Sequence, residues 1–190
     1  MDKTLVLAII TGSITLFGWL VTHILTIRRD RQNQRLSASL KYVERQLEEL
    51  YGPLAFFVLE GQQTFKDLLE AAGKGIFNDD GTISEDDLKL WLFWVENDLF
   101  PRNEKIQQLL MTKAHLIHGD KMPESFLRFL DHHNSWKMNH LRWQKEGVKY
   151  SWRSKIIWPI HFEQEVLSTF SSLKLKHSKF LMEVTKIKAP

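Results

Sequence analysis

"TGSITLFGWLVTHIL", residues Thr11 to Leu25, is the stretch on which the reading of this chain turns. It lies inside a longer run, Leu5 to Ile27, that contains no Asp, Glu, Lys or Arg. Those 23 residues, as a helix rising ~1.5 Å per residue, span ~34 Å, enough to cross a hydrocarbon core of ~30 Å. Arg28, Arg29, Arg31 and Arg35 follow at once. Only Lys3 stands as a positive flank before the run, which exceeds the ~7–15 residues of a signal-peptide core, and no small-x-small cleavage site separates it from the arginines. The expectation is a retained, single-pass transmembrane helix over residues 1–27 with a short outside N-terminus. The trailing arginines put everything after it in the cytoplasm, so the chain is expected in the inner (cytoplasmic) membrane.

The polar residues of the run are evenly spaced. Thr4, Ala8, Thr11, Thr15, Gly18 and Thr22 follow one another at intervals of four and three, and all are small. The remaining faces carry Leu, Ile, Phe and Trp. A lone anchor gains nothing from such a stripe, and two explanations compete. Small residues let helices approach closely while hydroxyls bond across the interface. Alternatively, the stripe faces water at the centre of a ring of helices and lines a pore. Both imply self-association, so the six residues are read as pore-lining or oligomerisation positions.

Beyond the membrane run the apolar period is helical almost throughout. Leu36, Leu40, Val43, Leu47, Leu50 and Leu54 recur at three or four residues. No Gly or Pro lies between Thr22 and Gly52, so residues 28–51 are expected to continue the first helix until Gly52-Pro53 stops or kinks it. The leucine stripe lies near the face of the small stripe. It either extends a ring of helices beyond the membrane or covers the cytosolic bundle of its own chain.

Residues 52–190 read as a helical bundle. A helix over about 54–72 ends at Gly73, and Ser84 caps the next, with Asp87 placed for a capping box. Pro101 suits a break or a first helical position. Pro123 opens a helix carrying Phe126, Leu127, Leu130, His133, Trp136, His140 and Trp143, and a last helix covers about 159–187. No strand or repeat is evident. The fold class is all-α: one N-terminal transmembrane helix followed by a cytosolic bundle.

Composition excludes several chemistries. The 190 residues include no cysteine, which removes disulfides, thiol nucleophiles and iron–sulfur clusters. No Gly-rich phosphate loop or serine-hydrolase elbow is present. "NDDGTISEDD" fails as a calcium loop, because its first ligand position falls on Ile76. The eight histidines offer no three-ligand set at usable spacing, so neither a metal nor a cofactor is expected. Charge is uneven: Asp79–Glu104 holds eight acidic and two basic residues, and Lys149–Pro190 eight basic and three acidic. These are either solvated faces or surfaces for head-to-tail contact, RNA or anionic lipid.

Arg128 to His133 reads "RFLDHH", an R-x4-H arrangement. Arg128 can hold a phosphate, and His133 can move protons between a ribose 2′-hydroxyl and a leaving oxygen. The pair resembles the signature of HEPN ribonucleases, all-helical proteins that build one site from two copies. Here Phe129 stands after the arginine, where that family carries a polar residue. The alternative is Arg128 on a solvated face and His133 packed beside Trp136.

Taken together, one N-terminal apolar helix, a helical domain of this size and a divergent R-x4-H resemble the small membrane accessory proteins of type VI-B CRISPR systems. That resemblance implies a HEPN-like bundle and a homo-oligomeric ring that opens a membrane pore. It also implies an antiviral role beside the RNA-guided RNase, as a functional partner, with membrane depolarisation as the effect. Under it Thr11, Thr15 and Thr22 are pore positions, and Arg128 and His133 are remnants of a motif. The enzymatic alternative is a membrane-tethered ribonuclease with Arg128 and His133 catalytic; the third reading is an anchored helical scaffold.

Overall fold

The computed structural model describes residues 2–73, 75–150, 152 and 154–188, leaving aside the side chains of residues 4–6, 8–10 and 186–188. The described residues form helices and no strand, so the fold is all-α. The chain divides into two compact units, Glu44–Leu175 on one hand and Met1–Val43 with Lys176–Pro190 on the other.

α1 spans Lys3–Gln46, about 66 Å at helical rise. From Leu7 to Ile27 its described large apolar side chains are exposed, among them Leu7 at 69%, Phe17 at 72% and Trp19 at 65%. Among the described residues no helix is long and apolar enough to cross a membrane. The structure therefore does not carry the transmembrane reading of residues 1–27.

Gly52-Pro53 does not stop the chain. Leu47–Tyr51 forms a π-helical turn, and α2 follows directly over Gly52–Ala72. The Gly52 N–H donates to the Leu47 carbonyl, five residues back. That wider turn makes room for the proline ring, which in a regular helix meets the carbonyl four residues earlier. A Cβ on residue 52 would lie 2.5 Å from the Leu47 oxygen, so only glycine fits. The device recurs. α3 (Glu85–Trp94) passes through a second π turn, Val95–Leu99, into α4 (Phe100–Thr112), with Pro101 again just beyond and the Phe100 N–H donating to the Val95 carbonyl.

α3 begins where its sequence says it should: Ser84 Oγ accepts from the Asp87 N–H at 3.2 Å. α5 covers Glu124–Glu146 and closes on Gly147, whose φ of +66° suits a residue without Cβ. α6 covers Ile160–Lys188. Within the Glu44–Leu175 unit, Leu50, Leu54, Leu68, Ile106, Phe126, Phe129 and Phe162 are among the fully buried side chains. Phe129 stacks on Phe162 at 4.6 Å, and Trp91 stacks on Trp136 at 5.8 Å. Aromatic pairs at these distances add to the stabilisation from burial alone.

Candidate functional site

α5 decides what RFLDHH can do. Successive helical residues turn by ~100°, so Phe126, Phe129, His133, Trp136 and His140, spaced by three and four, form one stripe. All five are buried. His133 is fully buried, stacked on Phe129 at 6.2 Å and edge-on to Phe100 at 6.3 Å. Neither ring nitrogen has a hydrogen-bond partner among the described residues. Arg128 lies off the stripe. It is exposed and ion-paired with Glu124, its Nη2 donating to Oε1 at 2.8 Å. Five residues turn the helix by ~500°, so the two side chains leave α5 about 140° apart. The fold does not bring Arg128 and His133 to one site. A site shared by two copies would need His133 at a surface, and it has none.

Burial holds His133 at about 4, well below the usual imidazole value, with Lys137 adding to the depression and Glu104 opposing it. His132 is lowered too, by desolvation, against a backbone contact with the Ile156 carbonyl. Below about pH 6.5 the unfolded chain takes up a proton that the folded His133 refuses. The contribution to stability is therefore intact above pH 6.5 and is lost as pH falls toward 4, on the order of 2–3 kcal/mol in all. Denaturation midpoints measured from pH 7 to pH 4 should fall accordingly, and His133→Leu should flatten that slope. A midpoint as steep in the variant as in the native chain would contradict a buried neutral imidazole.

The α1 stripe has a definite geometry where its side chains are described. Thr11 Oγ1 donates to the Leu7 carbonyl at 2.9 Å, Thr15 to Thr11 at 2.9 Å and Thr22 to Gly18 at 2.8 Å. Each hydroxyl is satisfied within its own helix, an arrangement that needs no water. A Cβ placed on Gly18 would meet nothing within 4 Å, so the face is open there. The side chains of Thr4 and Ala8 lie outside the described residues.

Sequence reasoning passed over a buried cation. Arg102 is only 7% exposed and bonds Thr64 Oγ1 at 2.6 Å through Nη2. The same nitrogen is ion-paired with Asp98, and Glu60 lies 3.7 Å from Nε. Gly61 makes the space, since a Cβ there would sit 2.6 Å from Nη1. The signal in the sequence was the Asp98/Arg102 spacing of four, a helical ion pair. What it lacked was any sign that the pair is buried.

No group of three residues able to hold a metal exists among the described residues. Asp80, in the rejected calcium loop, accepts from the Thr82 N–H and hydroxyl at 2.8 and 2.7 Å, which holds its carboxyl below the usual range. No protein-family model matches the chain, and no curated protein or solved structure matches it either.

Proposed function

We propose that this is a homo-oligomeric membrane protein whose first helix associates with its copies through the Thr11–Thr15–Gly18–Thr22 face. The observation that carries the reading is the exposure of the described large apolar side chains along α1, Leu7 and those from Ile14 to Ile27. Soluble monomers rarely leave so extended an apolar surface in water. By sequence the charge-free run begins at Leu5 and reaches spanning length. The back-bonded threonines support it, because a hydroxyl in hydrocarbon needs an internal partner. Arg28, Arg29, Arg31 and Arg35 favour a cytoplasmic location for the bundle, which we propose to be HEPN-like.

In the fuller form of the proposal the assembled helices enclose a pore, and its opening depolarises the inner membrane during RNA-guided antiviral defence of the type VI-B kind. Catalysis by Arg128 and His133 is disfavoured by the exposure of Arg128 and the burial of His133. Liposomes carrying the full chain test the pore. Dye and ion leakage should appear with the native protein and be lost with Thr15→Leu, which places a branched side chain in the small face. Leakage unchanged in the variant would sink the proposal.

A further inference from the structure

The Glu44–Leu175 unit contains a cavity of about 1010 Å³, bordered by α2, α4, α5 and the segment leading into α6. That volume lies at the upper end of small-molecule sites. Its wall is mainly apolar and aromatic: Phe57, Phe65, Ile106, Trp136 and Trp158 all contribute. The charged groups in the wall are mostly answered by the protein. Arg102 is neutralised by Asp98 and Glu60. Glu163 accepts from Gln62 Nε2 at 2.6 Å and from Trp158 Nε1 at 2.5 Å. Lys155 is exposed.

Besides the buried indole N–H of Trp136, which has no hydrogen-bond partner among the described residues, an amide stands open in the wall. Asn103 lines the cavity, is only 5% exposed, and has no side-chain hydrogen-bond partner among the described residues. An amide that the protein leaves without a partner can serve a ligand through its carbonyl as acceptor and its NH2 as donor together. Ile157 at 85% and Ile160 at 61% exposure put an apolar lip on the same wall.

We propose that this cavity binds a neutral lipid, with an alkyl body among the aromatic and isoleucine side chains and a hydroxyl- or ester-bearing head on Asn103. An anionic head is disfavoured because Arg102, the buried cation in the wall, is already matched by two carboxylates. A hydroxyl both donates and accepts, which answers the two ends of the amide. The site lies wholly within the Glu44–Leu175 unit and does not depend on how α1 associates.

A diazirine-bearing monoacylglycerol, photolysed with the purified full chain, tests the assignment. Label is expected on peptides containing Phe57–Phe65 and Ser154–Ile160. Unlabelled monoacylglycerol in excess should reduce it at least tenfold. Asn103→Leu, which keeps the volume and removes the amide, should weaken labelling about tenfold, the size of one lost hydrogen bond. Ile106→Trp, which intrudes on the cavity one helical turn from Asn103, should also weaken labelling. The fatty acid of the same chain length should label at least tenfold less. Label confined to α1, or label on the cavity peptides that unlabelled competitor leaves unchanged, would overturn the proposal. The competition uses the native chain, so it decides even if a variant fails to fold.

Discussion

Phe129→Ala should destabilise the helical bundle by about 3–5 kcal/mol, the range for deleting a fully buried phenylalanine, while Arg128→Ala one residue away should change stability by less than about 0.5 kcal/mol. Phe129 is wholly buried, stacked on Phe162 and His133 and edge-on to Trp158. Its loss opens a void between three rings that cannot all close on it. Among the described residues Arg128 reaches only Glu124, and both side chains are solvated, at 66% and 77% exposure. The contrast is what a structural reading of RFLDHH requires. Chemical denaturation of the full chain in detergent, followed by near-ultraviolet circular dichroism, separates the two. Equal, small effects would mean that the α5 stripe is not the core described above.

The second large effect is expected at Asp98. Removing its carboxylate leaves the Arg102 guanidinium buried with Thr64 and the more distant Glu60. Breaking a buried pair from one side costs about 3–5 kcal/mol, because the remaining charge keeps its desolvation penalty. Glu60 recovers part of this, so Asp98→Ala should lose about 3 kcal/mol. Arg102→Met removes the buried charge itself and leaves Asp98, which is partly exposed, to be hydrated. It should cost less than Asp98→Ala. The reverse order in a denaturation series would show that the guanidinium is not held as a buried charge.

The helical plan was legible because its signals are local. Ser84 before an acidic first turn, Pro123 before an apolar stripe and Gly147 after one each act through the backbone of a single turn. Gly52-Pro53 was legible only as a stop or a kink, for the same reason. A proline ends a regular helix, but a π turn ahead of it removes the clash, and nothing in "LEELYGP" announces the wider turn. The α5 stripe was placed slightly off. Leu127 is 47% exposed, while Phe129, dismissed as a departure from a motif, is core. Phase errors of one position are easy on a helix whose polar members include three buried histidines, His132, His133 and His140.

The candidate site depended on facts that spacing does not carry. R-x4-H says that two residues are five apart; only the buried stripe says which of them faces inward. The cavity joins residues from Phe57 to Glu163, and Asn103 looks like an ordinary polar residue until its neighbours fold around it. The α1 face was readable in full as a pattern. Its meaning rests on what surrounds it.

Because the chain has no cysteine, a single introduced one reports contacts between copies without ambiguity. Full chains carrying Thr15→Cys or Leu20→Cys, in native membrane vesicles, should be oxidised and separated without reductant. Self-association through the small face predicts a strong cross-linked dimer for Thr15→Cys and little for Leu20→Cys. Monomer alone at Thr15→Cys, or equal cross-linking at both positions, would contradict an interface built on Thr11, Thr15, Gly18 and Thr22.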